Sequence, residues 1–341
     1  MNELNAQKRL ENAEAHLNGA YFQEALAGYQ TLINETGYAG IAWFRMAEIF
    51  NELGEFENSL KAHHQSFAFE PALASKILPK GFKHHSYVYR NKSQIEVSKC
   101  PLCSGKLENY SCYNLILTQN FNENFDPIRV WKQCVECSHL CASAYPLNLN
   151  ELLRESAGLQ TPALEKLPLF GKIINSLKAL GPYLSLLDIG CGAGEMSSVA
   201  RELELNVTAL DLNSRCVKEV ENKLGIPGIC ADLLNVEIEQ KFDIVLLGGV
   251  LEYLSNPLKA IEKASSLARS GGVLWISTPN YQSAQSQLMG VKNPMWRVCE
   301  QLQCFSLNSL EPAFLRFELE LLDYNLSTLN PGSMELTLRR L

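Results

Sequence analysis

Residues 187–195 read LDIGCGAGE, from Leu187 to Glu195. The stretch YLSLL before them is an apolar run of strand length that closes on Asp188. Glycines then stand at 190, 192 and 194, ahead of the helical stretch EMSSVARELE. Removing side chains at alternate positions of a turn lets a ligand press against bare backbone, and the order strand, glycine turn, helix describes a dinucleotide-like site. Nicotinamide-binding proteins share that pattern, so the residues that follow have to decide between ligands.

Working outward, NVTALDLN reads as a second strand ending on Asp211, about twenty residues after the glycines, where an acid can accept hydrogen bonds from ribose hydroxyls. GICADLLN gives a short third strand ending on Asp232. FDIVLLGGVLEYL is a fourth strand running into Gly248–Gly249 and then a helix. SSLARSGGVLWISTPN places a helix, a Gly271–Gly272 turn and a fifth strand capped by Thr278, Pro279 and Asn280.

In this order and spacing, residues 181–341 closely resemble the class I S-adenosylmethionine-dependent methyltransferases, with five separated blocks in agreement. The resemblance implies a Rossmann-like sheet of seven strands with the last antiparallel, formed here by RFELELLDYNL and SMELTLRR. It also implies S-adenosyl-L-methionine as cofactor. Asp188, Gly190, Cys191, Gly192 and Gly194 then hold its methionine part, Asp211 and Leu212 its ribose, and Asp232 and Leu233 its adenine, with Gly248 and Gly249 beside them. Asp188 has the further possibility of ordering the turn. A nicotinamide enzyme would carry a separate substrate domain downstream, and none follows. Methyl transfer from a sulfonium is an in-line displacement, so alignment of donor and acceptor dominates the chemistry.

Similar small-molecule methyltransferases follow their fourth strand with a glutamate–histidine pair and place another histidine in the insertion after the fifth. Here those positions read Glu252–Tyr253 and Glu300–Gln301. Both histidines are missing, and Gly249 removes a metal ligand that some relatives have. Glu252 and Tyr253 remain as the acid–base or orienting candidates. The insertion from Tyr281 to Phe305, with Trp296, Arg297, Gln301 and Phe305, is expected to form the lid over the acceptor.

Upstream, CPLC (Cys100, Cys103) and CVEC (Cys134, Cys137) form two pairs of identical spacing about thirty residues apart, which suits one structural tetrahedral zinc in a ribbon over residues 97–147. A redox dithiol and buried core cysteines are the competing readings. In the first 77 residues, a shift of 34 lays Ala13 on Ala47, Phe22 on Phe56, Ala25 on Ser59 and Leu26 on Leu60, with Gly19 and Gly54 near the same turn. That period belongs to helix pairs and resembles the tetratricopeptide repeat, which implies a protein-docking surface; a plain helical cap is the alternative. Pro71 ends the second pair, a short capping helix is expected near Ala72–Ile77, and residues 148–180 read as a helical linker.

The expected whole is therefore an α/β methyltransferase domain preceded by an all-α repeat segment and a small zinc ribbon. A chain of 341 residues, 46% hydrophobic, can bury such a core. The net charge of −7 without basic blocks argues against binding along a phosphate backbone. No apolar run reaches membrane-spanning length, and MNELNAQKRLENAEAHLN lacks the pattern of a secretion or transit signal, giving a cytoplasmic expectation. The leading function is methylation of a small or carbohydrate-like acceptor with the repeats recruiting a partner. Protein or RNA methylation, and a cofactor-binding scaffold without turnover, are the alternatives. No NPPY-like tetrapeptide follows the fourth strand, which argues against base methylation.

Overall fold

The computed structural model describes residues 2–156 and 161–341; Met1 of the expected repeat segment and residues 157–160 of the expected linker lie outside the described residues. The chain opens with α1 (Asn2–Asn18), α2 (Phe22–Gln30), α3 (Ala39–Glu52), α4 (Phe56–Phe69) and the short α5 (Ala74–Ile77). Next come β1 (Gln94–Glu96), β2 (Leu107–Asn114), β3 (Ile128–Cys134), β4 (Leu140–Ala142), β5 (Ala144–Pro146), α6 (Leu149–Ser156) and α7 (Leu167–Lys178). The remainder runs β6 (Ser185–Ile189), α8 (Glu195–Glu202), β7 (Asn206–Asp211), α9 (Ser214–Leu224), β8 (Gly228–Cys230), β9 (Phe242–Gly248), α10 (Pro257–Leu267) and β10 (Ala268–Pro279). It ends with α11 (Ala284–Met289), β11 (Gln303–Cys304), α12 (Leu307–Arg316), β12 (Leu319–Leu326) and β13 (Ser333–Arg340).

The first helices repeat in their turns as well as their residues. Ala20 and Gly54, 34 positions apart, both take left-handed backbone, with φ of 59° and 76°. The Tyr21 N–H to His16 carbonyl bond (2.9 Å) is matched by Glu55 N–H to the Phe50 carbonyl (2.8 Å). Gly19, near the same turn as Gly54 on sequence, precedes by one residue the left-handed position, which Ala20 holds. Gly28 lies so close to α1 that a Cβ there would stand 2.9 Å from that of Ala13, which explains the small residues at this crossing.

Seven strands form the large sheet in the order β12-β13-β10-β9-β6-β7-β8. β10, β9, β6, β7 and β8 are parallel to one another, and β13 is antiparallel to both β10 and β12. Both faces are covered, as a parallel sheet requires. Leu186, Ile244 and Leu246 pack with residues of α7, α8 and α9, such as Ile174, Val199 and Val220. Leu187, Ile189, Val245 and Leu247 pack on the other side with Ile261 and Ala264 of α10 and Leu310 and Phe314 of α12. The chain leaves β6 toward β7 and β8 on one side and returns to β9 and β10 on the other, and a crevice opens at such a switch point.

Three local expectations are corrected. The helix expected directly after Gly248–Gly249 is one 3-10 turn, Leu251–Tyr253; α10 starts only at Pro257, where Asn256 accepts the Lys259 N–H and proline sits at a helix start. The third strand stops at Cys230, so Asp232 stands in the following turn. Gly271 and Gly272 lie within β10, at a register shift between Ala268 and Val273.

The region of the cysteine pairs is not closed by its own residues. Its four-stranded sheet has the order β11-β4-β3-β2, and the outer strand β11 comes from the insertion after β10. Three short strands bury too little on their own. Trp131, Tyr113 and Leu115 share a core with Phe44 and Phe67 of the helical segment and with Trp296 and Leu302 of the insertion. The second helix pair also gives surface to the ribbon: Asn51 accepts the Cys112 N–H (2.8 Å), and Phe56 stacks on Tyr110.

Candidate functional site

The glycine turn is fixed from both sides. Gly190 has φ +76° and lies so close to the next strand's loop that a Cβ would stand 2.4 Å from Val250 Cγ2. Gly192 has φ +53°, and its N–H donates to Asp211 Oδ2 at 3.0 Å. Asp211 Oδ1 accepts the Asn213 N–H at 2.8 Å. A carboxylate has about four lone-pair positions, so two backbone bonds leave capacity for a ligand's hydroxyls.

These residues border a cleft of about 520 Å³ at the carboxyl ends of β6, β7 and β9. Its lining includes Gly190, Gly192, Asp211, Leu212, Asp232, Leu233, Gly248, Gly249 and Tyr253. The volume falls within the ~300–1,000 Å³ usual for cofactor sites. Asp232 Oδ1 accepts the Leu234 N–H (2.9 Å), and its Oδ2 accepts from Asn235 Nδ2 (2.9 Å) and Asn150 Nδ2 (3.1 Å).

Three expected residues do not reach the cleft wall. Asp188 is 4% exposed and accepts from Ser197 Oγ at 2.6 Å, tying β6 to α8; burial pushes its carboxyl up to about 6. Cys191 is buried in the core beneath the turn. A Cβ on Gly194 would meet Val220 and Leu224 at 2.8 and 2.9 Å, so that glycine serves the approach of α9.

Sequence reading missed Asn150 and Leu153 of α6, Cys216 of α9, and Val250 and Leu254, all of which line the cleft together with Glu300 of the expected lid. The signal for α6 was available: Leu149, Leu152 and Leu153 have helical spacing, and Leu149 and Leu152 are buried.

Glu252 faces a second cavity of about 270 Å³, whose lining includes Tyr253, Gln285, Asn293, Gln301, Asn330 and Ser333. Tyr253 borders both cavities. Glu252 is 4% exposed, and its Oε2 accepts from Thr278 Oγ1 at 3.0 Å. Burial pushes its carboxyl up to about 7. The Tyr253 phenol is also raised, by burial and then by the charges of Glu252 and Glu300. Gln301 lines this cavity, whereas Trp296 and Phe305 are packed and Arg297 lies over the Tyr113 ring at 4.5 Å. The insertion thus spends most of its large residues on the ribbon.

Cys100, Cys103, Cys134 and Cys137 bring their sulfurs within 4.8 Å of one another, with separations of 3.4 Å (103–134 and 103–137) and 3.6 Å (100–137). These are too long for disulfides. Four sulfurs around a tetrahedral zinc at ~2.3 Å stand about 3.8 Å apart, so the donor set fits that ion. The two knuckles also match in backbone: Ser104 and Ser138 have φ of 63° and 58° and donate to the Cys100 and Cys134 carbonyls at 2.8 and 3.0 Å. The Cys100 and Cys134 N–H groups donate to Gly105 and His139 at 3.0 and 2.9 Å. A Cβ on Gly105 would meet Cys134 Sγ at 2.9 Å.

A family model described as a methyltransferase domain matches residues 146–324, over half of the chain. The chain is 27% identical over 115 residues to the ubiquinone biosynthesis O-methyltransferase of Colwellia psychrerythraea, covering 32% of this chain and 46% of the relative. It is 31% identical over 104 residues to that of Caulobacter vibrioides, covering 28% and 41%. It therefore spans less than half the length of these curated relatives. Among solved structures, the N-methyltransferase NodS of Bradyrhizobium japonicum with S-adenosyl-L-homocysteine aligns at TM-score 0.44 and 15% identity, over 57% of this chain and 98% of that one. Magnesium protoporphyrin IX methyltransferase of Synechocystis aligns at TM-score 0.44 and 17% identity, over 53% and 89%.

Proposed function

The chain belongs to the methyltransferase-domain family, and from that premise we propose that it transfers a methyl group from S-adenosyl-L-methionine to oxygen or carbon of a small or carbohydrate-like acceptor. The observation that carries this reading is the 520 Å³ cleft bordered by Gly190, Gly192, Asp211 and Asp232. Asp211 binds the ribose hydroxyls with the lone pairs that Gly192 and Asn213 leave open. Asp232, with Leu233, holds the adenine end, and Gly248 and Gly249 keep the wall free of side chains. Asp188 acts beneath the turn, through Ser197, and does not touch the cofactor. When bound, the cofactor's sulfonium supplies a methyl group open to in-line attack.

The acceptor occupies the cavity before Glu252. A carboxyl near pH 7 suits a general base, and Glu252 takes the proton from the attacking hydroxyl or carbon. Tyr253, shared by both cavities, orients the two reactants. The lining amides Gln285, Asn293, Gln301 and Asn330 favour a polar acceptor. The O-methyltransferase names of the matched relatives favour oxygen. Cys100, Cys103, Cys134 and Cys137 hold a structural zinc, whose ligands leave no position for a catalytic water. The helices up to residue 77 act as tetratricopeptide-like repeats that dock a protein, with the face not spent on the ribbon. The net acidic chain is not suited to a nucleic-acid acceptor, and among the described residues no helix is long and apolar enough to cross a membrane. A cytoplasmic setting suits four unbridged cysteines.

The test is transfer of labelled methyl from S-adenosyl-L-methionine into a metabolite extract, followed by product mass. Label in a small molecule supports the reading. Label only in protein or RNA, or none in a preparation that binds the cofactor, rejects it.

A further inference from the structure

Residues 299–304 form a strap between the cysteine ribbon and the turn that carries Glu252. On the ribbon side, Arg129 donates to the Cys299 and Gln301 carbonyls, the latter at 2.7 Å, and Ala142 N–H donates to the Leu302 carbonyl at 2.8 Å. Gln303 and Cys304 pair with Cys141 and Leu140 as the outer strand of the ribbon sheet. On the other side, Leu302 N–H donates to the Glu252 carbonyl at 2.7 Å.

Gln303 spans both sides with one amide. Its Nε2 donates to the Leu254 carbonyl at 2.9 Å, at the end of the Glu252–Tyr253 turn. A carbonyl only accepts, so this bond fixes the amide's orientation and turns Oε1 toward His139, whose Nε2–H donates at 2.8 Å. His139 is two residues past Cys137, and its carbonyl accepts the Cys134 N–H at 2.9 Å. Gln303 is 3% exposed and His139 fully buried, so water does not replace either bond. A second tie runs from Tyr281 OH to the Ser138 carbonyl at 2.7 Å.

We propose that the four-cysteine ribbon is the outer support of the methyl-transfer site and that Gln303 is the positioning residue that transmits its state to Glu252. Loss of metal frees the knuckle at residues 134–139. His139 then no longer holds Gln303, the strap loosens, and the Glu252 turn loses its fixed backing. The cofactor cleft keeps Asp211 and the glycine turn, which hang on β6 and β7 and make none of these bonds.

The support itself is tested by hydrogen exchange on the full chain, loaded with zinc and then stripped by a chelator under reducing conditions. Stripping should speed exchange about tenfold in peptides covering residues 299–306 and 250–256, and leave the Asp211 strand at its original rate. Gln303→Met in zinc-loaded protein should reproduce the change at 250–256 while retaining the metal. Tyr281→Phe, which removes a single hydroxyl, should give a smaller change in the same peptides. The methyl-transfer part rests on the proposed function and is read separately: in labelled transfer to a metabolite extract, Gln303→Met should move the pH of half-maximal rate while the protein still binds S-adenosyl-L-homocysteine through the Asp211 side of the cleft. Exchange at 250–256 that ignores both zinc and Gln303→Met would overturn the support. Failure of the wild type to bind S-adenosyl-L-homocysteine would overturn the methyl-transfer reading and leave the exchange result standing.

Discussion

The backbone N–H of Gly192 donates to Asp211 Oδ2 at 3.0 Å, locking the glycine turn after β6 to the acid that ends β7. One carboxylate therefore shapes the turn and borders the cleft. Replacing it with alanine should lower affinity for S-adenosyl-L-homocysteine on the order of 100-fold, the value of about two charge-assisted hydrogen bonds. Calorimetry on Asp211→Ala with native circular dichroism checks it; unchanged affinity rejects the ribose role.

Gly190 and Gly192 differ in what surrounds them. Alanine at 190 combines left-handed backbone with a 2.4 Å approach to Val250, whereas at 192 the nearest atom is the Gly190 carbonyl oxygen at 4.0 Å. Gly190→Ala should cost roughly 3 kcal/mol of stability and Gly192→Ala about 1 kcal/mol. Urea unfolding of both variants measures the difference, and equal costs contradict the geometry.

Glu252 gives a pH signature with a definite sign. Its folded carboxyl titrates near 7, above its ordinary 4.5, so the protonated form is favoured in the folded state. The stability this provides is fully present below about pH 4.5 and is lost as pH rises through 7. The loss comes to roughly 3 kcal/mol. Glu252→Gln should flatten stability between about pH 6 and 8, and the fall that remains below pH 6 belongs to Asp188. Transfer by the wild type should rise with pH to a plateau above about 7, and the variant should fall by ~10²–10⁴ in kcat. A variant with full activity removes Glu252 as base.

Cys134→Ser should abolish zinc binding while S-adenosyl-L-homocysteine binding persists, since the cleft takes none of its wall from the cysteine knuckles. Metal analysis and calorimetry on the same sample decide this. Gly105→Ala should weaken metal retention as well, because its Cβ would press on Cys134 Sγ. Wild-type metal content in Cys134→Ser contradicts the ligand set.

What could be read from sequence was what neighbouring residues encode. Strand, glycines and acid lie within a few positions of one another around Asp188, and the two-residue spacer of each cysteine pair shapes its own knuckle, so neither needed long-range information. The shift of 34 also lays Ala20 on Gly54, the two left-handed turn residues, although sequence drew attention to Gly19 because glycine is the default residue for that backbone. The placement of β11 was not legible. Gln303 and Cys304 join strand residues more than 160 positions earlier, and no periodicity signals such a pairing. Sequence left Asp188 two roles, a cofactor contact or the ordering of the turn, because a strand-end acid looks the same whether it faces the crevice or, as here, accepts from Ser197. The character of Glu252 likewise arises from burial, with Thr278 as its hydrogen-bond donor, and sequence shows only the glutamate.

Calorimetric titration of the full chain with S-adenosyl-L-homocysteine tests the cleft assignment most directly. We expect a saturable isotherm with one site per chain, weakened on the order of 100-fold in Asp211→Ala. An absence of binding by folded wild-type protein to this ligand and to S-adenosyl-L-methionine alike would contradict the assignment of the cleft between β6, β7 and β9.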